Sequence, residues 1–173
     1  RKIDESESHE EKLYKILEVY LKLFPVFLNA SLFRFSPLGY MGEGIISLSS
    51  SGLTPMNDFS ADVRPFQIIY SVIQEKKAKY FAGTDFLLKQ PSAKYIFSPK
   101  IKAIAVTPIC AGSVVIGYIV SSKFAEGANI DEKMLASLTL YGRLVGKLII
   151  SGLSKESNKM LSKRELEVMV RIA

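Results

Sequence analysis

Apolar positions follow two periods along this chain, and the places where the period changes divide it into elements. Leu13, Ile16, Leu17, Tyr20, Leu21 and Phe24 recur at helical spacing and predict an amphipathic helix over 9–24. Ser8 and Glu11 form a capping-box pair ahead of it, and Pro25 sets its end. Tyr14, Val19 and Leu23 make a second apolar stripe, which suggests a contact beyond the domain's own core. The pattern then shifts to strands at Leu28–Ser36 and Glu43–Ser50, a meander joined by the turn-rich stretch Pro37–Gly42. Residues 49–60 hold Ser, Gly, Pro and Asn and read as a loop. Asp62 is placed to cap a helix that has Pro65 in its first turn and runs through Phe66, Ile69, Tyr70 and Ile73 to about Lys76. Lys79–Ala82 reads as a short strand, and Gly83-Thr84-Asp85 opens one helical turn through Leu88. Residues 89–102, with two prolines and four lysines, read as a lid or mobile binding loop.

The rest of the chain is organised around Ala103–Phe124. Two β-branched runs flank Ala111-Gly112-Ser113, the mark of a hairpin. Both runs are apolar on both faces, so the hairpin belongs at the centre of a sheet covered on two sides. Pro108 cannot donate to a ladder and predicts a bulge or an edge; Gly117 predicts close backbone approach. A long helix is expected over 131–152, with a main stripe of Leu135, Leu138, Gly142, Val145 and Ile149 and a second of Leu140, Leu144 and Leu148. Gly142 and Gly146 sit one turn apart, a spacing that signals internal packing more often than a dimer. Two apolar faces on both terminal helices make a homodimer through those helices the expected assembly. Residues 153–160 form a polar linker. At Leu161–Ala173 a new helix begins, with a capping box at Ser162 and Glu165 and a hydrophobic staple from Leu161 to Leu166.

Composition narrows the chemistry. The 173 residues suit one domain with some extra material. With Cys110 as the single cysteine and His9 as the single histidine, an intrachain disulfide, a thiolate metal site and a Ser-His-acid set are excluded. A reducing, cytoplasmic compartment follows. No apolar run approaches the roughly 20 residues of a membrane span, so no membrane partner is expected. Arg1 in place of a methionine reads as an excised or processed fragment. A net charge of +6 suits a solvated basic surface or an anionic partner, nucleic acid first among them.

Two resemblances rest on these residues. Leu161, Ser162, Arg164, Glu165, Glu167, Val168, Ile172 and Ala173 match the opening of the helix-turn-helix domain of LuxR/FixJ-type transcription factors, with Met169 in place of leucine. That resemblance implies DNA as a partner of the parent protein, through a recognition helix beyond Ala173. Residues 9–152 resemble a GAF domain, on the run Ile104–Ile109 with its Pro108, on Gly112, on Val115–Ile119 with its Gly117, and on Phe124 before the last helix. The implied fold is α+β, a GAF/PAS-like central antiparallel sheet. The N- and C-terminal helices lie on one face, and short helices and a loop cover a pocket on the other. Ser122-Lys123-Phe124 with the distant Asp131-Glu132 lacks the asparagine and spacing of the cyclic-nucleotide subgroup. The absence of tryptophan weakens an autoinducer-binding reading. Neither haem nor bilin has a suitable ligand residue, so no cofactor is expected, and the ligand is an unknown small molecule.

By that analogy the pocket draws on Phe35, Phe66, Tyr70, Tyr80, Phe86, Tyr95, Thr107 and Tyr118, with Lys79, Lys94 and Lys102 as anion contacts. Each aromatic taken singly reads first as core, and the lysines first as a solvated face. Cys110 reads as a small buried hydrophobe before a redox sensor. The function these observations imply is ligand sensing and dimerisation in a bacterial DNA-binding transcriptional regulator. A ligandless dimerisation or interaction module is the alternative, and an enzyme is not expected.

Overall fold

The computed structural model of the protein describes residues 2–56, 58–83 and 101–155, with side chains placed from residue 10 to residue 151 of these. Its order is α1 (Lys2–Leu23), β1 (Asn29–Ser36), a 3-10 turn (Leu38–Tyr40), β2 (Met41–Ser49), β3 (Gly52–Pro55), β4 (Ser60–Asp62), α2 (Gln67–Glu75), β5 (Lys79–Ala82), β6 (Ala103–Ala111), β7 (Val114–Ser121) and α3 (Glu132–Lys155). The strands form one antiparallel sheet in the order β3-β2-β1-β7-β6-β5, with β4 also paired to β2. This is the expected α+β architecture, and the β6–β7 hairpin lies inside the sheet as its two-sided apolar pattern requires.

The hairpin turns through Gly112-Ser113, with Gly112 at φ 66°, a left-handed conformation that glycine adopts without a Cβ penalty. Its ladder slips between Ile109 and Cys110. Ile109 pairs with Gly117, Cys110 pairs with Val115, and Ile116 is the extra residue of a bulge on β7. Pro108 pairs with Tyr118 one position away, so the missing donor and the slip are neighbours. Gly117 answers a separate demand: a Cβ there would stand 2.6 Å from the carbonyl oxygen of Phe33.

Two cores lie on the two faces. On the first, α1 supplies Ile16, Leu17, Tyr20 and Phe24, α3 supplies Leu138, Tyr141 and Val145, and the sheet supplies Ala30, Leu32, Ala105, Ile109 and Ile119. Tyr20 stacks on Phe27 at 5.4 Å and meets Tyr141 at 5.8 Å. Ser121 Oγ donates to the Asn29 carbonyl at 2.7 Å, which leaves its lone pairs to accept from the Tyr20 hydroxyl at 3.2 Å. Tyr141 donates to the Ile16 carbonyl at 2.6 Å and ties α3 to α1. Net contributions near 1 kcal/mol per bond are typical, and breaking a buried one costs more. Gly142 and Gly146 explain how α3 comes so close. A Cβ at either position would collide with a backbone oxygen of β6, that of Pro108 or of Cys110 respectively. The glycine pair is therefore an internal packing device.

Several expectations change. Helix α1 begins at Lys2, because the stretch ahead of Ser8 carries good helix formers in Lys2, Glu5 and Glu7, and its acidic residues suit a helix N-terminus. The 49–60 segment is not a bare loop; β3 folds back on β2, and β4 pairs with β2 through Met41–Glu43. Asp62 does not cap α2. It ends β4 and holds Arg64 at 2.6 Å, while Phe66 stands at the helix N-cap without a side-chain hydrogen bond. Asp131, by contrast, does cap α3, accepting from the Met134 N–H at 2.9 Å. Helix α3 runs to Lys155, three residues into the expected linker. Its Glu132–Ser151 stretch is long and apolar enough to pass for a membrane span, with a mean hydropathy of 1.3. Part of that apolarity is buried in the fold, where Leu138, Tyr141 and Val145 face the first core, while Ile150 is exposed. Of the second stripes, Tyr14, Val19, Leu23, Leu144 and Leu148 lean on this same first core, and Leu140 is exposed. The turn expected after Gly83, most of the loop to Lys102 and the helix from Leu161 lie outside the described residues.

Gly146→Ala tests the seating of α3. In an exposed helix this change would stabilise by about 1 kcal/mol. Here a loss of about 2 kcal/mol is expected, read as a lower urea midpoint at unchanged m-value.

Candidate functional site

The second face is where the sequence places a pocket. Helix α2 lays Ile68, Ile69, Val72 and Ile73 over the sheet, all buried. They meet Ile104, Val106 and Cys110 of β6, Val115, Tyr118 and Val120 of β7, and Phe33 and Phe35 of β1. Helix α2 closes on Lys76 in the left-handed conformation, whose N–H returns to the Val72 carbonyl at 2.8 Å.

Tyr118 is the polar centre of this face. Its ring stacks on Phe33 at 4.8 Å, and Phe33 takes Phe59 edge-on at 5.2 Å. The hydroxyl reaches across β1 to Gly42 and Val63, where a Cβ on Gly42 would collide with it. It is fully buried and has no hydrogen-bond partner among the described residues. Burial pushes its pKa well above the ordinary tyrosine value, so it stands as a neutral donor. An unmade buried hydroxyl costs roughly 1–3 kcal/mol, which marks this atom as a place where a polar ligand group would be stabilising.

The rim is built by Tyr40. It sits at φ 51° after Gly39, and its carbonyl accepts from Val63 N–H at 2.9 Å. Its ring meets Phe35 at 5.5 Å and Tyr70 at 5.8 Å, and the Arg64 guanidinium lies over it at 5.5 Å. Gln74 donates to its hydroxyl at 2.9 Å. Arg64 in turn holds the Asp62 carboxyl below the usual carboxylate range.

Of the expected site residues, Phe35, Phe66 and Tyr118 belong to this face's core, and Tyr70 sits at its rim against Tyr40. Two belong to the other face. Tyr80 packs against the first core and meets Phe124 at 5.6 Å. Successive strand residues point to opposite faces, so Phe81 takes the place expected for Tyr80. Thr107 is buried with its hydroxyl near that of Tyr20, and its methyl would be 3.3 Å from a Cβ on Gly142, so it lies beneath α3. Lys79 is engaged by Glu75 at 2.6 Å, four residues before it at the end of α2, which also lowers the Glu75 pKa. Lys102 is exposed, and its carbonyl accepts from Gly83. Through the β5–β6 register it stands four residues from Lys79, about 13 Å along the strand, so the two do not converge. Phe86, Tyr95 and Lys94 lie outside the described residues. Cys110 is buried beneath α2, and desolvation raises its thiol pKa, the opposite of an activated cysteine.

Phe33, Tyr40, Phe59 and Phe81 join the face without having been expected there. Period-two reading of β1 and β5 carries the signal for Phe33 and Phe81. Tyr40 and Phe59 come from turns, where no period exists.

No protein-family model matches the chain, and no curated protein matches it in sequence. Solved structures do match in shape. A GAF domain/HD domain protein from Geobacter sulfurreducens aligns over 85% of this chain and 95% of its own, at TM-score 0.65 and 10% identity. The green light-absorbing state of a red/green cyanobacteriochrome aligns over 86% and 97%, at TM-score 0.61 and 16% identity. The PixJ GAF domain of Thermosynechococcus elongatus, in its blue-light absorbing form, aligns over 87% and 94%, at TM-score 0.54 and 13% identity. The element order, the antiparallel sheet and these alignments together establish that this chain has the GAF fold.

Proposed function

We propose that this chain is the sensory domain of a cytoplasmic bacterial transcriptional regulator, in which a small molecule bound on the α2 face alters how the terminal helices of two subunits pack. The observation that carries it is the Tyr118 hydroxyl, buried and unpartnered inside an aromatic shell. Strand β7 holds Tyr118 on that face and Ser121 on the other, where Ser121 meets Tyr20 of α1. A small shift of β7 in response to a ligand is thus felt by α1 through a buried hydrogen bond. The DNA-binding half of the proposal rests on the Leu161–Ala173 resemblance alone.

One observation favours a second reading, a ligandless dimerisation or interaction module. Phe33, Phe59 and Tyr118 fill part of the α2 face with the chain's own rings.

Tyr118→Phe separates the two. Removing an unpartnered buried hydroxyl should raise the stability of the ligand-free domain by about 1 kcal/mol in either case. Under the sensory reading, native mass spectrometry of the purified wild-type chain shows a retained small molecule that the variant loses. A wild-type chain carrying no added mass, and no sequence-specific DNA binding by the full-length protein, would overturn the proposal. The same spectra are expected to show a dimer, and a monomer at all concentrations would remove the helix-packing route.

A further inference from the structure

The first face holds a cavity that the sensory reading does not use. Helices α1 and α3 run antiparallel, and at the end where Leu13 and Ile149 face the sheet they leave an open groove of about 310 Å³. Leu32, Ile45 and Ile116 line it from the strands, and the bulge of β7 is what places Ile116 there. Among the described residues one charged side chain lines this groove, Arg34, and no carboxylate does. Among the described residues Arg34 makes no ion pair. Glu43 stands opposite it in the β1–β2 register but does not come within salt-bridge distance.

An apolar slot with a single uncompensated guanidinium is complementary to an aliphatic chain that ends in an anion. The volume lies at the small end of ligand pockets. A guanidinium binds a carboxylate through two parallel charge-assisted hydrogen bonds, and the walls offer nothing polar to compete for the tail. We propose that this groove binds a medium-chain aliphatic carboxylate, with its tail between Leu13, Ile116 and Ile149 and its carboxylate on Arg34. The site lies across the sheet from Tyr118, so it stands or falls separately from the sensory reading. Its occupant would sit between the two terminal helices and hold their separation.

The test titrates the 173-residue chain with sodium octanoate below its micellar concentration, with 1-octanol as the uncharged analogue, by calorimetry. Saturable binding of one octanoate per chain is expected, at least tenfold tighter than octanol. Arg34→Gln should bring octanoate down to the octanol level while leaving octanol binding and the far-ultraviolet circular dichroism unchanged. Glu43→Gln should tighten octanoate severalfold. Tyr118→Phe should leave octanoate binding untouched. The proposal is overturned by an absence of saturable octanoate binding, by equal affinity for octanoate and octanol, or by an Arg34→Gln chain that binds octanoate as wild type does. It is overturned also if octanoate binding vanishes as the chain dimerises, since a second copy would then be the occupant.

Discussion

Helix α3 rests on β6 backbone to backbone, and the two-faced construction of the domain depends on that contact. At Gly142 and Gly146 the helix has nothing to place between itself and the carbonyls of Pro108 and Cys110. Larger residues would lift α3 off the sheet, and the layer holding Leu138, Tyr141 and Val145 would lose its floor. With α3 seated so low, Tyr141 reaches the backbone of α1 at Ile16, and Thr139 reaches the N–H of Ala78 on the link between α2 and β5. One close approach thus fixes the neighbouring helix and the sheet edge together.

Each face buries one hydroxyl without a partner among the described residues, that of Thr107 beneath α3 and that of Tyr118 beneath α2, and the faces differ in the network around it. Beneath the helices, Tyr20, Ser121 and the Asn29 carbonyl form a chain in which the Tyr20 and Ser121 hydroxyls both donate. Asn29 extends it, accepting from the N–H groups of Ser122 and Lys123 and donating to Ser122 Oγ. Beneath α2, Tyr118 is surrounded by rings and is left without a partner. A satisfied network rigidifies its surroundings, and an unsatisfied group stores free energy that an incoming partner can release.

The sequence was most informative where a period ran long enough to be counted. The β6–β7 hairpin, α3 and the main stripe of α1 were legible because a run of apolar residues can bury itself in few ways. Pro108 and Gly117 were legible as exceptions to that run, each naming its own constraint. Short elements were not. Strands β3 and β4 have four and three residues, too few to show a period, and they form because β2 offers them an edge. At the candidate site the failures share one cause. Tyr80 and Thr107 were grouped with the pocket by residue type, yet which face a strand residue takes depends on register. Asp62 looked like a helix cap until Arg64, two residues on, offered it an ion pair instead.

The extra residue in β7 carries a meaning of its own. Ile109 opposes Gly117 and Cys110 opposes Val115, so excising Ile116 would leave an unbroken ladder with Gly112-Ser113 still at the tip. Tyr118 would keep its side of the sheet. The ladder therefore has no need of that isoleucine, whose side chain packs against the helix-face core instead. What the surplus position adds is a branched side chain where a regular strand would present none.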